Sequence, residues 1–304
     1  MRISKIFAGV SAAVLALTLT ACGTGNEKTE NKDGGAAAMT TGEINVVSRE
    51  EGSGTRGAFT EIVGVEREIQ VDGKTEKEDA TYEEAIFQDG TNKVITTVSG
   101  DDRAIGYISL GSLNDTVKAV KINGVDANHE TVQSGEYKIQ RPFLFVYKDE
   151  NALSDIAKDF IKFALSKDGQ AILGDEFITI DPNAPAYEKT DGLSGKISIT
   201  GSTSVGPLAK KMAEAYKGIN PDVAIEIQET GSGTGIKEAT AGNVDIGMSS
   251  RELKEDEAKV LKATEIAKDG IAVIVAKSNS TEDITLDNVR EIFLGNIRNW
   301  EDVK

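Results

Sequence analysis

Apolar and polar positions along the chain fall into two alternating patterns. Short apolar or β-branched runs at Ile44–Ser48, Val94–Val98, Ile105–Leu110, Phe143–Tyr147, Lys196–Thr200, Val223–Gln228 and Ile271–Ala276 read as strands. Between them, apolar residues return at helical spacing. Ile156, Phe160, Phe163 and Ala164 share one face, with Ser154 as the cap. Leu208, Met212, Ala215 and Tyr216 form a second face, opened by Pro207 and stopped at Gly218, and Leu286, Val289, Ile292 and Phe293 form a third, closed by Gly295. Strands alternating with helices of this length predict an α/β fold with mixed, mainly parallel sheets. In such sheets ligands sit beyond the carboxyl ends of the strands, at the N-termini of the helices that follow.

Two strand-to-helix turns carry the same four residues. Ile44–Ser48 leads through Arg49-Glu50-Glu51 into Gly52-Ser53-Gly54-Thr55, and Val223–Gln228 leads through Glu229-Thr230 into Gly231-Ser232-Gly233-Thr234. Glycine lets a backbone approach a ligand closely. The hydroxyls, the free N–H groups of a helix start and the helix dipole all favour an oxyanion there. One such loop is ordinary helix capping; a second at the matching place of another βα unit points to a site. A third turn, Gly201-Ser-Thr-Ser204-Val-Gly-Pro207, repeats the hydroxyl-rich helix start, and Arg49 supplies a planar fork for an anion.

Other chemistries fit less well. Gly231-Ser-Gly-Thr-Gly-Ile-Lys237 lacks the Gly-Lys-Ser/Thr ending of a phosphate-loop NTPase and the spacing of a dinucleotide fingerprint. A phosphohydrolase using Ser53 or Ser232 would need a base, and the one histidine, His129, stands in the loop-like Asp126–Glu130. The acidic pairs Glu50-Glu51 and Asp101-Asp102 have no His or Cys beside them, so neither a metal nor another cofactor is expected.

The amino end bears on compartment. Arg2 and Lys5 precede an uncharged apolar stretch ending Leu19-Thr20-Ala21-Cys22, which reads as an export signal over 1–21 rather than a spanning helix. That ending resembles a bacterial lipobox, with Cys22 as the lipidated residue. Residues 22–42, rich in Gly, Asn, Lys, Glu and Ala, read as a solvated tether. Cys22 is the only cysteine, so no internal disulfide can form. A formal net charge of −16 argues against nucleic-acid partners but not against an anion held by local neutral donors.

Together these residues resemble the phosphate-binding lipoproteins of bacterial ABC-type phosphate importers. The resemblance rests on Gly201-Ser-Thr-Ser-Val-Gly-Pro-Leu208, Gly231–Lys237, Asp245-Ile-Gly-Met-Ser-Ser-Arg251, Lys268–Val275, Arg49–Thr55, Ala104-Ile-Gly-Tyr107 and Arg141-Pro-Phe143. It implies a type II periplasmic-binding-protein-like fold, two lobes joined by two crossing strands and closing on phosphate. It also implies a monomer that works with ABC permease subunits, is attached to the membrane by lipid at Cys22, and has no catalytic activity. Its site residues fall on Thr203, Ser204, Ser232, Gly233, Thr234 and Ser250 from one lobe, and on Arg49, Ser53, Gly54 and Thr55 from the other.

The chain departs from that family twice. Its halves stand in rotated order: the segment like Gly195–Lys304 comes first in relatives, and the segment like Glu43–Pro185 follows. A circular permutation predicts lobe one over 141–276, lobe two over 43–140 with 277–304, a joining segment at 186–194, and hinge strands at Phe143–Lys148 and Ile271–Lys277. The alternative is one piece of a tandem or swapped assembly. Second, Ser250 stands where some members carry an aspartate that accepts the proton of monohydrogen phosphate. This keeps sulfate and molybdate open beside phosphate, with Glu51 expected to orient Arg49; a surface sensor or adhesin that keeps the lobes without transport is a separate alternative.

Overall fold

β-Branched and aromatic residues at alternate positions, punctuated by glycine turns, lay down the strands, and each apolar stripe between them winds into a helix that covers the sheet. The computed structural model describes residues 39–71 and 73–303. In chain order its elements are β1 (Asn45–Arg49), α1 (Gly54–Val63), β2 (Glu66–Val71), β3 (Lys74–Asp79), β4 (Ile86–Gln88), α2 (Thr91–Ser99), β5 (Ala104–Ser109), β6 (Val117–Ala119), β7 (Lys121–Ile122), α3 (His129–Gln133), β8 (Gln140–Tyr147), α4 (Asp155–Leu165) and α5 (Lys167–Ala171). There follow β9 (Gly195–Gly201), α6 (Gly206–Ile219), β10 (Val223–Glu229), α7 (Ser232–Ala241), β11 (Ile246–Ser249), α8 (Glu255–Ala258), β12 (Lys262–Ala276), β13 (Asp283–Ile284) and α9 (Leu286–Phe293). The signal segment, Cys22 and most of the tether lie outside the described residues.

The large sheet runs β10-β9-β11-β8-β12-β5-β1-β4, with β6 also on β12. Its two ends are parallel: β10, β9 and β11 on one side, β5, β1 and β4 on the other. The strands between them pair antiparallel. The fold is therefore α/β and two-lobed, each lobe a parallel βα unit. β8 and β12 pass between the lobes. Phe143, Phe145, Ile266 and Ala267 pack with the helices α4 and α6, whereas Ile271, Val273 and Val275 pack with Phe59, Tyr107 and Phe293. β12 thus changes core near Gly270, opposite Gln140 of β8. The crossing lies a few residues before the stretches Phe143–Lys148 and Ile271–Lys277.

Two expectations need correction. Val94–Val98 is not a strand but part of α2. Val94, Ile95 and Val98 are buried on one helical face, so their i, i+1, i+4 spacing outweighs their β-branched character. The tether is already docked before Gly42. Thr40 exchanges hydrogen bonds with Ser280 (2.7 and 2.8 Å), and the Gly42 amide donates to the Glu301 carboxylate at 3.0 Å.

The two ends of the folded region lie against each other. The Ile44 amide donates to the Arg298 carbonyl at 2.7 Å, the Trp300 amide to the Gly42 carbonyl at 3.0 Å, and Glu43 bridges Asn299. The segment 186–194 is held by Asp159 of α4. That carboxylate accepts from the hydroxyls of Tyr187 (2.5 Å), Thr190 (2.7 Å) and Tyr216 (2.7 Å).

Candidate functional site

Four helix starts converge at the crossing of the lobes. α1 begins with Ser53 as its cap, whose hydroxyl accepts from the Arg56 amide, and with Gly54 and Thr55 in its first turn. α7 begins at Ser232 after Gly231, whose φ of 90° is a left-handed conformation that glycine reaches without strain. α6 follows Ser202-Thr203-Ser204, and α2 begins at Thr91 after Gly90. Each follows a strand of the parallel parts of the sheet, so their free N–H ends aim at one place.

The hydroxyls meet there in pairs drawn from the two lobes. Thr55 Oγ1 lies 3.0 Å from Ser204 Oγ, and Thr91 Oγ1 lies 3.3 Å from Thr203 Oγ1. The Gly233 amide donates to the Gly52 carbonyl at 2.9 Å, joining the two Gly-Ser-Gly-Thr loops directly. Gly54 lies on Ser232 and Ser250 so closely that a Cβ would fall 2.2 Å from Ser232 Oγ and 2.8 Å from Ser250 Oγ. Ser53, Thr55, Ser204, Ser232 and Ser250 are all buried.

Arg49 is the buried cation of this cluster, only 2% exposed. Its Nε and Nη2 both donate to the Glu50 carboxylate at 2.7 Å, Nη2 also donates to Thr203 Oγ1 at 3.1 Å, and Nε to the Gln88 carbonyl at 3.2 Å. The orienting carboxylate is therefore Glu50. Glu51 points outward and is exposed. β1 ends at Arg49 and the chain turns at once, so the strand alternation that would have set residue 51 on the side of residue 49 no longer holds there.

Behind Ser250 lies a second buried charge pair. Arg141 of β8 donates from Nε (3.1 Å) and Nη2 (2.9 Å) to Asp269 Oδ2 of β12, and Asp269 Oδ1 accepts from Ser109 at 2.9 Å. Arg141 Nη1 donates to both the carbonyl and Oγ of Ser250 at 3.2 Å. Burial pushes the Asp269 carboxyl up and the Arg141 guanidinium down, and each partner's charge pulls the other back. Ser202 Oγ adds a further bond to Ser250 Oγ at 2.9 Å.

Of the residues the sequence marked, Arg49, Ser53, Gly54, Thr55, Thr203, Ser204, Ser232, Gly233 and Ser250 come together. Thr234 does not join them by its side chain, which is exposed and lines an outer groove with Ser198, Gln228 and Glu238. As the third residue of α7 it points away from the face that Ser232 presents. Glu50, Thr91, Ser202, Arg141 and Asp269 belong to the cluster without having been assigned to it. Thr91 carried a usable signal, since Gln88-Asp-Gly-Thr91 is one more strand-to-helix turn with glycine and a hydroxyl. His129 opens the short helix α3, after the cap Asn128. Among the described residues no group of three or more His, Cys, Asp or Glu side chains is placed to hold a metal ion.

A two-lobed α/β fold with helix starts of both lobes closing on a buried arginine is the arrangement of the periplasmic-binding-protein-like folds. Comparison with known proteins agrees. Residues 4–168 and 185–304 match the PBP superfamily domain. The chain is 48% identical over 270 residues to phosphate-binding protein PstS 2 of Streptococcus agalactiae, covering 88% of this chain and 90% of that protein. It is 42% identical over 305 residues to phosphate-binding protein PstS 2 of Streptococcus pneumoniae, covering 100% of both. A crystal structure of a phosphate ABC transporter phosphate-binding protein from Streptococcus pneumoniae matches with a TM-score of 0.68 and 45% identity, over 86% of this chain and 100% of that one. The chain belongs to the PBP superfamily, in the family of phosphate-binding proteins that these relatives represent.

Proposed function

We propose that this protein captures inorganic phosphate between its lobes and hands it to an ABC-type importer, without catalysing a reaction. The observation that carries this reading is the pairing of hydroxyls from the starts of α1 and α2 in one lobe with those before α6 in the other, around the buried Arg49 fork. Neutral donors, helix dipoles and one guanidinium suit a small dehydrated oxyanion. Arg49, Ser53, Gly54, Thr55, Thr203, Ser204, Ser232, Gly233 and Ser250 form the cradle, and Thr234 contributes only from its backbone. The names of the relatives support phosphate as the ligand.

Export, lipid attachment at Cys22 and work at the outer face of the membrane with permease subunits, as a monomer, complete the proposal. Among the described residues no helix is long and apolar enough to cross a membrane. The rotated order is read as a circular permutation within one chain. The pairing of residues 42–44 with 298–301 supports it, because permutation needs neighbouring ends. So does the contact of both Gly-Ser-Gly-Thr loops inside a single chain. The two cores support lobe limits near these, with Ile178, Ile271, Val273 and Val275 of the 141–276 segment packing in the core of lobe two.

Equilibrium dialysis against labelled phosphate tests the reading. Binding at micromolar or tighter concentration, reduced at least about a hundredfold in Arg49→Ala, is expected from loss of a charge-assisted fork. Retention of sulfate or molybdate with no phosphate retained would assign a different oxyanion, the second reading that a serine at position 250 keeps open.

A further inference from the structure

The buried pair of Arg141 and Asp269 lies outside the cradle, yet it ties three parts of the molecule together. Ser109 ends β5 of one lobe, Asp269 and Arg141 sit on β12 and β8 where these strands cross between lobes, and Ser250 follows β11 of the other lobe. Arg141 and Asp269 are 4% and 1% exposed, with no solvent to share their charges. A buried ion pair of this kind contributes little to stability over apolar residues of the same shape. Its place suggests another use.

That use follows from counting hydrogens at Ser250. Its Oγ accepts from Arg141 Nη1 and from Ser202 Oγ. Ser202 must be the donor of its bond, because its own oxygen already accepts the amides of Ser204 and Val205. Two acceptances fill both lone pairs of a hydroxyl, so Ser250 must be the donor in its long contact with Ser232 Oγ at 3.4 Å, a bond weak enough for an anion to take over. The Ser250 hydrogen points toward Ser232 and Gly54, where the two lobes meet.

We infer that Arg141, locked by Asp269, is a positioning residue that makes Ser250 a fixed donor to the bound anion and links that donor to the strand crossing. This rests on the cradle binding phosphate as proposed above. A rotor held in its bound orientation gives up no freedom on binding, and a hydroxyl with filled lone pairs has no acceptor to offer a protonated ligand oxygen.

A double-mutant cycle on the full chain tests it, read as phosphate affinity and, separately, as melting temperature. In the wild type, Ser250→Ala should weaken phosphate binding about tenfold, the loss of one hydrogen bond to a charged group. In the apolar background Arg141→Met with Asp269→Leu, the same change should cost less than about threefold, since an unfixed hydroxyl has less to lose. Asp269→Asn, which keeps the shape, should give an intermediate cost and serves if the apolar pair does not fold. Equal cost of Ser250→Ala in all backgrounds, whatever happens to melting, would leave the pair a purely structural role and overturn the inference while the phosphate reading stands. Absence of phosphate binding by the wild type would overturn both.

Discussion

The Gly233 amide donates to the Gly52 carbonyl at 2.9 Å, so the two Gly-Ser-Gly-Thr loops touch through their own backbones. Residues 52 and 233 belong to different lobes and to opposite ends of the sequence. Their contact lies within one chain, and it sets how close every neighbouring side chain must come.

Closeness at Gly54 gives the first prediction. A methyl group there would fall 2.2 Å from Ser232 Oγ, so Gly54→Ala should hold the lobes apart. Overpacking of this kind costs about 1–3 kcal/mol, which corresponds to a loss of phosphate affinity of about five- to a hundredfold. Gly218, exposed in α6 with open space around its Cβ position, is the contrast. Gly218→Ala should raise stability by about 0.4–1 kcal/mol in denaturant unfolding and leave phosphate affinity alone. Tight binding by Gly54→Ala would mean that the loops do not close as described.

Arg49 is held flat by two bonds to Glu50 at 2.7 Å while Nη2 reaches Thr203. Lysine cannot fork in this way, so Arg49→Lys should weaken phosphate binding about ten- to a hundredfold despite keeping the charge. Glu51→Gln, at an exposed side chain, should change affinity by no more than about twofold. A large effect at Glu51 with none at Arg49 would place the orienting contact elsewhere.

Asp159 secures the segment 186–194 on α4. Removing its carboxylate strands the hydroxyls of Tyr216 and Tyr187, which it accepts at 2.7 and 2.5 Å. Asp159→Ala should cost about 2–4 kcal/mol of stability, lowering the melting temperature by about 4–12 °C, with phosphate affinity unchanged. An unaltered melting temperature would show that 186–194 is not docked on α4.

Tyr107 gives one part of the alkaline pH dependence, beside Tyr137, Tyr187 and Tyr216, whose hydroxyls burial also pushes up. Burial pushes its hydroxyl up to about 12, against about 10 in an unfolded chain. Between those values the unfolded state sheds a proton that the folded state keeps. Stability is therefore complete below pH 10 and falls as pH rises through the window, by about 1.4 kcal/mol per pH unit for one such group. Tyr107→Phe should make the alkaline slope of stability, measured by urea unfolding, shallower by that amount. The same slope in both proteins would contradict the assignment.

What the sequence disclosed follows from what each signal depends on. The three helical faces and the Ser154 cap were readable because spacing and capping are local, and the structure has α4 starting at Asp155 and α9 running Leu286–Phe293. Val94–Val98 misled because β-branched residues favour strands while their spacing favoured a helix, and burial on one face decided it. The glycines and hydroxyls of the cradle stood out as repeated loops. Thr234 did not follow, since a motif fixes the backbone but not which way its last side chain turns. Arg141 and Asp269 lie 128 residues apart, and only strand pairing brings them together. Nothing local marks such a pair.

Isothermal titration of phosphate into the monomeric protein, with sulfate titrated in parallel, addresses the central claim directly. One chain that closes both loops on phosphate should bind one phosphate per monomer, at micromolar or tighter concentration. Half a site per chain, binding only in a dimer, or heat from sulfate or molybdate with none from phosphate would contradict it.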